Sequence, residues 1–273
     1  LVTASPLGLD EALGVDVASV PLDEVSGAPR RGGHAPLFYL LLHGGIAAVG
    51  DSDLAVRALS GLWAVALLLA VAGLYVGFFV APTDHQQGES YRIIFIHVPA
   101  AWMSMLIYLV MAFWAAWGWI FNARMASMYA RALAPTGAVL TFVTLWTGAL
   151  WGKPTWGTWW VWDARITSYF ILLLLYIGYI ALTEAIDDVR RSAHAGALLA
   201  LVGVVNIPII YFSVRWWNTL HQGQTIKMTG TSMEQTMRLS MWLMMAAFWA
   251  YALAVAFTRS RAIVLEQEAD NEW

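Results

Sequence analysis

The chain has 273 residues, of which 60% are hydrophobic and 12% charged, with a formal net charge of −3. An ordinary soluble domain carries roughly 25% charged residues, so a chain this apolar cannot clothe a water-facing surface and must use the bilayer as its solvent. The acidic balance leaves no basic stripe for nucleic acid, and the lack of cysteine excludes disulfides, thiolate metal sites, a cysteine nucleophile and any Cys-x-x-Cys-His motif.

In chain order, residues 1–58 stand apart. Up to Gly33 they show no helical or strand periodicity and read as a poorly ordered extension; Pro36 to Gly50 is an apolar piece too short for a comfortable span and reads as interfacial or re-entrant. No basic-then-apolar leader with a small-residue cleavage site is visible, so no signal peptide is expected. Six apolar runs follow, at 61–80, 94–120, 132–150, 166–186, 195–214 and 239–258. Each is close to the roughly 20 residues of helix that cross a 30 Å hydrocarbon core. The predicted fold is all-α: a polytopic integral membrane protein with six transmembrane helices over 59–265 and a short cytoplasmic tail, 266–273. Polar connections are expected at 81–92, 121–131, 151–165, 187–194 and 215–238.

Lysine and arginine set the orientation. Arg30, Arg31, Arg57, Arg124, Arg131, Arg190, Arg191, Arg259 and Arg261 fall on one side. Arg92, Lys153, Arg165, Arg215, Lys227 and Arg238 fall on the other. Nine against six places both termini in the cytoplasm and the connections 81–92, 151–165 and 215–238 together outside.

The densest chemical signal lies in 151–165, where Trp151, Trp156, Trp159, Trp160 and Trp162 fall within twelve residues. One reading is an interfacial aromatic belt. The other starts from helical spacing, which would set Trp156, Trp159 and Trp160 on one face as a flat indole plate at the membrane surface. A planar porphyrin can lie on such a plate. Lys153 and Arg165 could each meet a porphyrin propionate, or Arg165 could simply snorkel to the headgroups. Asp163 fits the N-cap of the fourth span and could also hold Arg165.

Two histidines share the outer face. His97 stands at the mouth of the second span, with Pro99 suited to the first helical turn; His221 lies in the connection before the sixth span, after Trp216, Trp217 and Asn218. Neutral imidazole is a common axial ligand of haem iron, although a lone interfacial histidine is more often only hydrogen-bonded. His34, His43, His85 and His194 are weaker candidates. Without cysteine, any haem here is held non-covalently, as haem b. No phosphate-binding Gly-rich loop, Gly-x-Ser-x-Gly or His-Glu-x-x-His occurs, so no enzyme is expected and ATP hydrolysis would fall to a partner.

The run Trp156-Gly-Thr-Trp-Trp-Val-Trp-Asp-Ala-Arg-Ile-Thr167 resembles the WWD motif of haem-handling membrane proteins. Ala81 to Gly88, Ile96 to Trp102, Gly148 to Pro154, Gly203 to Pro208 and Trp216 to Gly223 narrow the resemblance to the haem exporter C family, CcmC, of type I cytochrome c maturation, from about 62 to 265. The resemblance implies six spans in a bacterial inner membrane and haem against the Trp-rich loop on the periplasmic side. It also implies axial ligands at His97 and His221, delivery to the haem chaperone CcmE, and a complex with CcmA, CcmB and CcmD in which CcmA hydrolyses ATP. Three departures stand out: Tyr169 where the family usually has Glu, Tyr211 to Arg215 in place of a segment with His and Glu, and His85 in place of Tyr. The change to Arg215 reverses a charge beside the site.

Two other functions compete. Residues 34–57 resemble a fragment of a polyprenyl-sugar glycosyltransferase, and paired histidines also occur in electron-transferring b-type cytochromes.

Overall fold

The computed structural model describes residues 58–221, 226–227, 230–231 and 233–269. The expectations for residues 1–57, with His34 and His43, therefore lie outside the described residues. Trp63–Val264 form one compact unit. Among the described residues the chain forms seven α-helices: α1 (Ala58–Tyr75), α2 (Ile94–Phe121), α3 (Arg124–Trp156), α4 (Ala164–Glu184), α5 (Val189–Gly203), α6 (Asn206–Trp216) and α7 (Gln235–Ala269). Six segments are long and apolar enough to cross a membrane: Gly61–Val80, Glu89–Phe121, Arg124–Trp156, Ala164–Glu184, Val189–Trp216 and Gln235–Val264. The expected all-α, six-span architecture is the one observed, with one two-residue hairpin, Ile226–Lys227 with Gly230–Thr231, before α7.

The helices overrun the apolar runs, and this corrects the predicted connections. The connection expected at 121–131 shrinks to Asn122 and Ala123; Asn122 takes the left-handed conformation (φ 50°) that ends α2, a conformation asparagine tolerates. The polar residues beyond it continue as the first turns of α3. Likewise α3 does not stop at 150 but runs to Trp156, closed by Gly157 at φ 77°, whose amide donates to the Lys153 carbonyl at 3.0 Å. Hydropathy senses the thickness of the apolar layer, whereas a helix continues until its backbone is capped.

The fifth span, expected to be continuous, is broken between α5 and α6. Pro208 has no amide to give the Val204 carbonyl, which accepts instead from Ile207 N at 3.0 Å. Asn206 bridges the break by donating to the Ser168 carbonyl of α4 at 2.9 Å. Pro99, expected in a first helical turn, lies farther inside α2, because a 3-10 turn, Glu89–Ile93, leads directly into that helix.

Packing uses the small residues that suit apolar surroundings, where close backbone approach replaces the hydrophobic drive. Buried alanines at 112, 130, 134, 197 and 200 let α2, α3 and α5 approach closely. Buried tyrosines fill the remaining space and find acceptors across it: Tyr176 donates to the Ser104 carbonyl at 2.7 Å and Tyr169 to the Ala101 carbonyl at 3.2 Å, stitching α4 to α2. Ser240 of α7 donates to the Gly73 carbonyl of α1 at 2.8 Å. The chain after α1 is fastened by Arg92, which donates to the Gly77 and Ala81 carbonyls and pairs with Glu89.

Candidate functional site

Described residues of three connections, those expected at 81–92, 151–165 and 215–238, meet at one end of the bundle. Trp151 Nε1 donates to Gln87 Oε1 at 2.9 Å, joining α3 to the first connection. Asp163 joins the other two: its Oδ1 accepts from Ile166 N at 2.8 Å as the N-cap of α4, while its Oδ2 accepts from Leu220 N at 3.3 Å. The carboxylate thus caps a helix and anchors the residue beside His221 at once. It does not serve as the partner of Arg165.

His97 and His221 face each other, with ring centres 6.2 Å apart and planes inclined at 30°. His97 comes from α2 and is only 7% exposed; its Nδ1 lies 3.0 Å from the Thr147 hydroxyl of α3. The ring rests against Gly148, where a Cβ would sit 3.1 Å from His97 Cε1. A side chain here would crowd the imidazole, which glycine leaves room for. Two tryptophans complete the pocket: Trp151 is edge-on to both histidines, at 5.8 Å and 6.4 Å, and Trp156 lies 6.1 Å from His221.

The other tryptophans do not form the expected plate. Trp156 ends α3 while Trp159 and Trp160 lie in the non-helical 157–163 segment, so helical spacing cannot align the three. Trp160 and Trp162 instead meet at 75°, each edge-on to Phe170. Trp159 sits under the ammonium group of Lys153, 6.0 Å from its ring centre. That lysine donates to the Gly157 carbonyl at 3.2 Å, so its amine closes the end of α3. Gly157 breaks the helix and turns the chain before Trp159, a backbone effect that residue spacing alone does not reveal.

Arg165 occupies an intermediate position. One guanidinium nitrogen donates to the Ile210 carbonyl at 3.2 Å and the group lies 5.7 Å from the Tyr169 ring centre. Its Nε is buried with no partner among the described residues, as is Trp160 Nε1. Trp216, Trp217 and Asn218 are exposed at the end of α6, where Trp216 stacks on Phe212. His85 is exposed, and His194 lies on α5. Among the described residues, no group of three or more His, Asp or Glu gathers as a cage for a bare ion.

Sequence reasoning missed Thr147, Gly148 and Gln87. Their signal was present in part: Thr144, Thr147 and Trp151 recur at helical spacing. Apolar periodicity alone ends the third span at 150 and leaves Trp151 in a connection, which hides that signal.

The family model of heme exporter protein C, CcmC, matches residues 48–273, beginning upstream of the boundary placed at 58. Heme exporter protein C of Escherichia coli K12 is 47% identical over 207 residues, covering 76% of this chain and 84% of the relative. The Bradyrhizobium diazoefficiens protein of the same description is 46% identical over 196 residues, 71% of this chain and 74% of its own length. A putative cytochrome c biosynthesis ccmC-like mitochondrial protein of Marchantia polymorpha is 43% identical over 197 residues, 72% of this chain and 84% of its own. Six membrane-length helices and a match over most of the sequence establish that the chain is a multi-pass membrane protein belonging to the heme exporter protein C family.

Proposed function

We propose that this protein takes part in cytochrome c maturation by holding haem b non-covalently at the site end of the bundle and releasing it to a chaperone of the CcmE type. His97 and His221 would be the axial ligands. The carrying observation is their spacing: two imidazoles that each place a nitrogen about 2 Å from one shared metal, on opposite sides, have ring centres about 6 Å apart. The observed separation is 6.2 Å. Fit is supported by the chemistry around the pair. Trp151 and Trp156 give an apolar, aromatic wall, and the unpartnered Nε of Arg165 is a donor suited to a carboxylate.

When bound, haem would offer its iron to the imidazoles of His97 and His221 and its apolar porphyrin to the neighbouring indoles; everything else is the work of this chain. Thr147 and Gly148 hold His97, Asp163 anchors the backbone beside His221, and Trp159, Trp160 and Trp162 would line the exit of a cargo. Of the two ligands, His97 is set in a rigid helix and His221 sits in an irregular segment, an arrangement suited to letting go on one side first. The site end would face the periplasm of a bacterial inner membrane. Because no phosphate-binding motif occurs in the sequence, energy for export would come from ATP hydrolysed by CcmA, in a complex with CcmB and CcmD.

An absorption spectrum of the purified protein tests the core of this reading. The wild type should carry a bis-histidine haem spectrum, which His97→Ala and His221→Ala each diminish; equal haem content in all three would reject the ligand pair. Arg165→Ala should lower retention, and unchanged retention would leave that arginine a purely structural role.

A further inference from the structure

The Thr147 hydroxyl has one proton to give and lone pairs to receive. Its neighbours are the Val143 carbonyl at 2.6 Å, His97 Nδ1 at 3.0 Å and the Thr144 carbonyl at 3.3 Å. The shortest of these has the length of an O–H···O bond and the second that of an N–H···O bond. The hydroxyl proton therefore goes to Val143, one helical turn back, and the hydroxyl oxygen receives a proton from the ring.

We infer that Thr147 is the residue that selects the tautomer of His97, holding the proton on Nδ1 so that Nε2 keeps its lone pair for a metal. Gly148 completes the device by letting the ring lie against α3, where a Cβ would press on Cε1 at 3.1 Å. This rests on the haem-binding reading for the use of Nε2, but the tautomer itself is a property of the protein alone. Thr147 is a positioning residue: it acts through His97. Its bond also makes the imidazole a more basic ligand, which favours ferric over ferrous iron.

Three variants and three readouts test it. In the full-length protein without haem, nitrogen NMR of labelled histidine should show His97 protonated at Nδ1; protonation at Nε2 would overturn the inference. Thr147→Val keeps the volume and branching but removes the acceptor. Haem retention should fall about 10-fold, within the range for a lost outer-shell partner, and the haem midpoint potential should rise. Thr147→Ser should restore both, whereas a Val variant with wild-type retention and potential would sink the proposal. If Thr147→Val does not fold, the serine variant and the wild-type nitrogen spectrum still decide. His97→Ala separates the two readings: a wild type that carries no haem, or an alanine variant that carries as much, refutes ligation while the nitrogen spectrum independently tests the tautomer.

Discussion

Two sets of aromatic residues occupy the same end of this bundle, and they differ in how they are held. The inner set, His97, His221, Trp151 and Trp156, draws on α2, α3 and the segment after α6, and its members touch one another. Trp151 is 5% exposed and hydrogen-bonded to Gln87. The outer set is open: Trp159 is 55% exposed, Trp162 69%, Trp216 57% and Trp217 49%. Tryptophan count alone makes both look equally important. Burial and partners separate them, because a side chain locked by packing keeps its geometry before a ligand arrives, whereas an exposed one adapts to whatever passes.

That contrast can be broken or sharpened by substitution, beginning with the largest effect. Replacing either histidine with alanine should reduce haem retention by at least about 100-fold, beyond the range for losing an outer-shell partner; a similar loss on replacing an outer tryptophan would erase the distinction. Trp151→Ala should destabilise the detergent-solubilised protein by about 3 kcal/mol, as emptying a buried indole site does, read as a lowered midpoint of thermal unfolding. Trp151→Phe should recover most of the packing and lose about 1 kcal/mol with the Gln87 bond.

Asp163→Ala removes both the cap of α4 and the anchor on Leu220, at about 0.5–2 kcal/mol for the cap. Its sharper consequence is selective: haem retention should fall while His97 keeps its environment, as followed by its imidazole resonances. A disturbance of both histidines alike would mean that the carboxylate supports the whole end and not one ligand. Trp162→Ala should shift unfolding by no more than about 0.5 kcal/mol, with any effect confined to the rate at which haem passes to an acceptor.

The architecture was legible early, and for a simple reason. A bilayer imposes one length and one composition on anything that crosses it, so six apolar runs sufficed to predict six spans. The two facing histidines and Asp163 were also visible, the last because an aspartate before an apolar run has few other uses than capping. The family resemblance was carried by the residues around them, from Ala81 to Gly223.

The site was less legible. Where α3 ends depends on Gly157 and its capping bond, and that boundary decides whether Trp151 is a loop tryptophan or a buried wall. The break at Val204 and Val205 follows from Pro208, yet its bridging by Asn206 to Ser168 depends on a neighbour 38 positions away. Thr147 is one threonine among several on an apolar helix until His97, 50 positions away, is seen to lie against it. Composition and periodicity act locally and report the solvent of each segment. Which side chains meet is set by how separately stable helices dock, and only the tertiary structure holds those distances.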